Sequence, residues 1–252
     1  MKKIAFITGG TGGIGKATAK ELGSQGYTVI LNGIDDEQAA ETIAELKAMD
    51  IECEYYHFDV CSEEEVVANV TAIGEKYGHF DVVVNNAGGL GGRSRFEDMT
   101  TEFYRKVMAL NLDSAYFVSR TAIPFLKKSE VASGASIINF SSNAGWNAGG
   151  PGAGIYGVSK GAIILLTRAL AKDLAEYGIR VNAVAPGTID TPFHAAIKQT
   201  NLPLFESWKN NILLKRLGQA SEVANVIGFL VSEKASFMTG EVVQVNGGQD
   251  LL

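Results

Sequence analysis

Tyr156 and Lys160 stand four residues apart in a segment, 141–160, that reads SSNAGWNAGGPGAGIYGVSK. The residues that follow have helical periodicity, so both side chains are expected on one helix face. A phenol ionises near pH 10 and is a poor acid or base at neutrality; a nearby ammonium favours the phenolate. That predicts a Tyr156 pKa lowered by Lys160, each unit of lowering corresponding to about 1.4 kcal/mol. Ser142, fourteen residues before Tyr156, could hold a substrate oxygen beside the phenol. Ser, Tyr and Lys together can move a proton to or from an alcohol or a carbonyl, but they carry no hydride.

The N-terminus has the composition to hold a hydride carrier. An apolar run over residues 4–8 reads as a strand buried on both faces. Gly9, Gly13 and Gly15 follow with the spacing G-x-x-x-G-x-G, ahead of a helical pattern over 16–25. Glycines between strand and helix let a pyrophosphate approach the helix N-terminus, where free N–H groups and the dipole favour anions. Gly10 to Lys16 also matches the G-x-x-x-x-G-K of a nucleoside-triphosphate loop, but Ala17 replaces the hydroxyl that would ligate magnesium.

The elements that must position these residues can be read in order. A strand over 27–31 leads into Asn32-Gly33-Ile34-Asp35-Asp36, with no Arg or Lys to pair with a 2′-phosphate. Asp35 and Asp36 would repel one, which favours NAD over NADP; alternatively both cap a helix over 37–49. A strand over 52–58 ends at Asp59-Val60, where Asp59 could accept from an adenine amino group or cap the helix over 62–77. A strand over 80–84 runs into Asn85-Asn86-Ala87-Gly88-Gly89, small enough for close approach of a ligand. Arg93 and Arg95 lie in the Gly-rich loop beyond it and could bind a carboxylate or phosphate or stay solvated. A long helix is expected over 103–125, with Asn111 unfavourably inside it. Strands follow over 135–140 and 180–185, the latter ahead of Pro186-Gly187-Thr188; residues 190–217, with His194, read as a lid. A helix over 222–231 and a strand over 241–245 complete the pattern. Strand and helix alternate throughout, which predicts one doubly wound α/β domain spanning 1–252 with a mainly parallel sheet, its ligands beyond the strands' carboxyl ends.

The 252 residues fit one large domain, and 46% hydrophobic with 20% charged residues is ordinary globular composition. A net charge of −6 argues against bulk attraction to nucleic acid or anionic membrane. Cys53 and Cys61 lack metal-ligand company and read as free thiols. No signal or spanning pattern opens the chain, so the expected compartment is the cytoplasm.

Thr8-Gly-x-x-x-Gly-Ile-Gly15, Asp59, Asn85-Asn86-Ala87-Gly88, Asn111, Ser142, Tyr156-x-x-x-Lys160, Pro186-Gly187 and Asn246-Gly247-Gly248 together resemble the short-chain dehydrogenase/reductase family over essentially the whole chain. The resemblance implies a Rossmann-type fold, NAD(H) or NADP(H), a small-molecule carbonyl substrate and a homotetramer or homodimer. Tyr156 would be the acid/base, Lys160 its pKa-lowering partner and a ribose contact, Ser142 the group that polarises the carbonyl, and Asn111 the holder of a relay water. The implied cofactor contacts are Gly9, Thr11, Gly13, Ile14, Gly15, Asp35, Asp59, Val60, Asn86, Ala87, Gly88, Tyr156, Lys160, Pro186, Gly187 and Thr188, the last meeting the nicotinamide carboxamide. Arg93, Ser142, Asn143, Tyr156 and His194 would contact substrate. The chain departs from the family pattern in two places: the serine more often lies thirteen residues before the tyrosine, where Asn143 stands, and Gly33 replaces an acidic residue. A narrower likeness, carried by Asn85–Leu90 with Arg93, by Ser141–Gly145 with Gly149–Gly152 and by Thr191–His194, is to bacterial reductases of 4-deoxy-L-erythro-5-hexoseulose uronate, which form 2-keto-3-deoxy-gluconate. The 3-oxoacyl-carrier-protein reductases and sugar dehydrogenases of the same family are the alternative, and a non-catalytic dinucleotide sensor on the same fold is a third.

Overall fold

In the computed structural model, which describes residues 2–192, 199 and 202–251, the apolar runs become the strands of one parallel sheet. Its order is β3-β2-β1-β4-β5-β6-β9, built from β1 (Lys3–Ile7), β2 (Tyr27–Gly33), β3 (Cys53–His57), β4 (Val82–Asn85), β5 (Ser136–Phe140), β6 (Arg180–Pro186) and β9 (Val242–Val245). All residues of β2, β4, β5 and β6 are buried, as expected where helices cover both faces. Order reverses between β1 and β4, and ligands of such sheets bind at that switch point, outside the carboxyl ends.

The helices divide cleanly between the faces. On one lie α3 (Glu63–Tyr77), α5 (Ser114–Leu126) and α7 (Gly154–Leu174), through Val66, Val70, Ile73, Val118, Leu126 and Leu174. On the other lie α1 (Gly13–Ser24), α2 (Asp36–Ala48) and α9 (Ala220–Val231), through Leu22, Leu46, Val223, Ile227 and Leu230. By length and apolarity alone residues 154–177 could cross a membrane, but α7 turns Ile155, Ile163 and Leu174 into the core. A buried polar ladder ties β4 and β5 to α5 and α7: Asn85 Nδ2 donates to Asn139 Oδ1 (2.8 Å) and Ser119 Oγ (2.9 Å), and Asn139 Nδ2 to Thr167 Oγ1 (3.0 Å).

The expected helix over 103–125 is three segments: α4 (Thr101–Met108), a π turn over Ala109–Asp113, and α5. Asn111 sits in that turn, so the residue that disfavours an α-helix marks where the α pattern breaks. The lid expectation falls partly outside the described residues, at 193–198 and 200–201, and His194 lies among them. Within its range the structure has α8 (Leu202–Asn211) and, closing its base, the short parallel pair β7 (Ile189–Asp190) and β8 (Gly218–Gln219). The brief helix α6 (Ala144–Asn147) follows β5.

Candidate active site

Strand β5 delivers two serines, and their environments separate their roles. Ser141 is buried, and its Oγ donates to the Lys160 carbonyl at 2.9 Å, locking the strand end to α7. Ser142 is half-buried, and its side chain is hydrogen-bonded to Tyr156. The fourteen-residue spacing therefore still brings Ser142, and not Asn143, to the phenol. Asn143 turns elsewhere: its N–H donates to the Pro186 carbonyl (3.2 Å), and its Oδ1 lies 3.3 Å from Asn246 Nδ2. Its own Nδ2 is buried without a hydrogen-bond partner among the described residues.

Lys160, one turn beyond Tyr156, is only 4% exposed, and its ammonium donates to the Phe140 carbonyl at 2.9 Å. Burial pushes its pKa down to about 8, since low-dielectric surroundings disfavour the charged form. The expected lowering of the Tyr156 pKa is not what the structure gives. Burial raises it, and the hydrogen bond with Ser142 opposes the rise. The ammonium lies 5.7 Å from the phenol ring centroid and gives one of its three N–H groups to the Phe140 carbonyl. Desolvation of the phenolate thus outweighs any help from Lys160.

Asn111 is 1% exposed: its Nδ2 donates to the carbonyls of Gly89 (2.8 Å) and Val107 (2.9 Å), and its Oδ1 accepts from Gly89 N–H (3.0 Å). The side chain pins the loop after β4 beneath Lys160. A Cβ on Gly88 would stand 3.0 Å from both Asn111 Oδ1 and Lys160 Nζ, so Gly88 is the gap across which these two groups converge. The carboxamide thus bonds Gly89 through both its atoms and Val107 through its nitrogen.

The glycine-rich turn is a cradle that side chains would fill. Gly9 and Gly13 have φ of 58° and 50°, a region glycine occupies at little cost. A Cβ on Gly15 would lie 2.1 Å from the Gly9 carbonyl. Asn86 Nδ2 donates to the carbonyls of Thr8 (3.0 Å) and Gly9 (2.9 Å), and Thr8 Oγ1 accepts from Ala87 N–H (3.0 Å). Asn86 and Ala87 therefore shape the cradle from below. Ile14 is in the first turn of α1, which has no side-chain cap, leaving its amides for an anion. These features fit a dinucleotide.

Farther along this edge, Thr11 Oγ1 donates to Gln38 Oε1 (3.1 Å). Asp35 caps α2 by accepting from Gln38 N–H at 3.0 Å, whereas Asp36 lies in the first turn and bonds Tyr55 and His57 instead, so only one of the two aspartates takes the capping alternative. Asp59 does not cap α3; Ser62 does, while Asp59 Oδ1 accepts from Cys61 N–H at 2.8 Å in a tight turn. Val60 is buried in the core beside it. At the other end, Gly187 N–H donates to the Val245 carbonyl (3.0 Å), and Thr188 N–H and Oγ1 both reach Gln249 Oε1 (2.8 and 3.1 Å). A cleft of about 500 Å³ runs from Thr188 past Leu213 and Leu214 to Gly247. Arg93 is exposed, and its Nη1 donates to the Pro151 carbonyl (3.0 Å), bridging two loops beyond the strand ends.

The structure thus gathers Ser142, Tyr156, Lys160, Asn111 and Gly88 in one place and the glycine turn, Asn86, Asp35 and Asp59 along one edge. Gln38 and Gln249 were not foreseen. Nothing in local sequence distinguishes either amide, because each meets its partner, Thr11 or Thr188, only through the fold.

A family profile described as enoyl-(acyl carrier protein) reductase matches residues 9–250. An uncharacterized oxidoreductase of Thermotoga maritima is 37% identical over 249 residues, 98% of this chain and 96% of its own. The 3-oxoacyl-[acyl-carrier-protein] reductase FabG of the same organism is 35% identical over 246 residues, 98% of this chain and 97% of its own. Among solved structures, that of the NADH-dependent reductase A1-R′ responsible for alginate metabolism is similar with a TM-score of 0.89 at 35% identity, covering 99% of this chain and 98% of that one.

Proposed function

The chain belongs to the short-chain dehydrogenase/reductase family and is an NAD(P)-dependent oxidoreductase, and from that premise we propose that it reduces the aldehyde of a small keto-uronate, 4-deoxy-L-erythro-5-hexoseulose uronate, to 2-keto-3-deoxy-gluconate, with NADH preferred. The Ser142–Tyr156 hydroxyl pair beside a buried Lys160 carries the carbonyl reduction, and the 35% identity to the NADH-dependent reductase A1-R′ responsible for alginate metabolism supports the substrate and the NADH preference.

When bound, a reduced nicotinamide dinucleotide supplies hydride to the carbonyl carbon. The glycine turn and the first turn of α1 would hold its pyrophosphate, and Lys160 and Thr188 its nicotinamide end. Ser142 hydrogen-bonds the substrate oxygen and stabilises negative charge as it develops. Tyr156, kept protonated by its raised pKa, donates the phenolic proton to that oxygen. Lys160 keeps a positive charge beneath the pair below about pH 8. Arg93, bridged to Pro151, faces a substrate whose carboxylate suits a guanidinium. The proposed assembly is a homotetramer or homodimer acting in the cytoplasm.

The test follows absorbance loss of NADH and NADPH in parallel with the alginate-derived keto-uronate. Fast loss with NADH is expected, and Arg93→Ala should raise KM roughly tenfold for this acid while sparing a neutral aldehyde. An unchanged KM would remove the carboxylate contact. The 35% identity to a 3-oxoacyl-carrier-protein reductase supports one second reading, which turnover of a 3-oxoacyl thioester with none of the uronate would favour.

A further inference from the structure

Five buried polar side-chain atoms find no hydrogen-bond partner among the described residues, and three of them, Ser133 Oγ, Ser136 Oγ and Arg180 Nη2, belong to one group of neighbouring residues. They lie at the amino edge of the sheet, a strand's length from Ser142. β5 opens with Ser136 and β6 with Arg180, and the two are register partners, so their side chains leave the same face of the sheet. It is the α9 face, where Ile138 and Val184 join Ile227 and Leu230 in the core. The turn before β5 brings in Ser133, whose carbonyl accepts from Arg180 Nε at 3.2 Å.

Arg180 is 5% exposed, and no carboxylate among the described residues pairs with it. Asp81, the acid buried at the same edge, accepts from Ile4 N–H (2.7 Å) and Ser129 Oγ (2.6 Å) and lies 3.2 Å from His79 Nε2. Arg180 Nη1 donates to the Leu230 carbonyl in the last turn of α9 (2.7 Å) and to the Met238 carbonyl (3.4 Å). These carbonyl dipoles satisfy N–H groups, but they do not cancel a formal charge, and a guanidinium keeps its proton at any working pH. A buried charge is ordinarily paired. Here the unpaired charge and the unmet donor are on one side chain, next to two hydroxyls that can donate. A ligand that only accepts satisfies all three. Water would also have to place its own hydrogens, on carbonyls that already receive guanidinium N–H groups. Ser136 is 1% exposed, and such burial excludes a hydrated polyanion.

We propose that Arg180 Nη2, Ser136 Oγ and Ser133 Oγ form a buried site for one small monovalent anion, chloride in size, at the amino edge of the sheet. The bound anion is the counter-charge of Arg180 and ties the starts of β5 and β6 to the end of α9. The site is independent of the catalytic reading.

The test therefore uses stability and crystallography of the full chain, without turnover. At fixed ionic strength, exchanging gluconate for chloride should raise Tm along a saturating curve, by roughly 4 °C at ten times the Kd. Ser136→Ala and Ser133→Ala should each raise the half-saturating chloride concentration about fivefold. Lys172→Gln, which removes an exposed cation from α7, should leave it unchanged. Crystals grown in sodium bromide should show an anomalous peak within hydrogen-bond distance of Arg180 Nη2. A rise that never saturates, an unaltered curve in both serine variants, or water without anomalous signal at Arg180 Nη2 would each overturn the site.

Discussion

Burial shifts Tyr156 and Lys160 in opposite directions, up for the phenol and down to about 8 for the ammonium. Near neutrality the pair is therefore a neutral acid beside a cation, the state a carbonyl reduction needs. Reductive kcat/KM should be flat below neutrality and fall as pH rises through about 8, where Lys160 loses its charge; a profile still level at pH 10 would contradict this. Stability responds with the opposite sign. Between about 8 and 10.5 the unfolded chain binds more protons at Lys160 than the folded one, so resistance to unfolding should rise with pH through that window. Tyr156→Phe should lower turnover by about two to four orders of magnitude with the fold retained by circular dichroism, because the ring stays and only the hydroxyl with its bond to Ser142 is lost. Near-normal turnover would remove Tyr156 from the chemistry.

At the scale of elements, the β1–α1 turn is the tightest constraint. Gly15→Ala puts a Cβ 2.1 Å from the Gly9 carbonyl, a backbone clash that no rotamer relieves. Loss of NADH binding by fluorescence titration is expected, with overall secondary structure kept by circular dichroism. The alternation of apolar runs and amphipathic segments made most strands legible to within two residues, since a buried parallel strand has to be apolar throughout. Ser142, Tyr156 and Lys160 were legible for a related reason: spacing along a strand end and one helix turn fixes proximity. The break at Ala109–Asp113 was visible only as an awkward asparagine, because what replaces the α pattern is a bond to Gly89, distant in sequence. Tyr156's raised pKa was not legible at all. It depends on how deeply the phenol is covered, and a spacing rule contains no depth. The tie from Asp36 to His57 likewise exists only once β2 and β3 are in register.

Across the molecule, the chemistry-bearing residues that the structure describes lie at the carboxyl edge of the sheet, while Leu165 (66% exposed), Val158 (52%), Tyr104 (44%) and Tyr116 (43%) leave apolar side chains outward on α7, α4 and α5. Assembly through these long helices is expected, since scattered apolar residues are ordinary but helix-borne sets mark contact faces. Light scattering at micromolar concentration should give a multiple of the chain mass, and Val158→Lys with Leu165→Glu should lower it without unfolding the chain; a monomeric wild type would remove the claim. The strand order has a further consequence, in time. β6 is paired by β5 on one side as soon as it is made, but its other side waits for β9, roughly 60 residues and several seconds of synthesis later at about 5–20 residues per second. Throughout that interval a buried apolar strand has one naked edge, open to a neighbouring nascent chain. Recovery from a heavily translating cell should therefore be limited by this late closure, and slowing synthesis relative to folding should raise the yield.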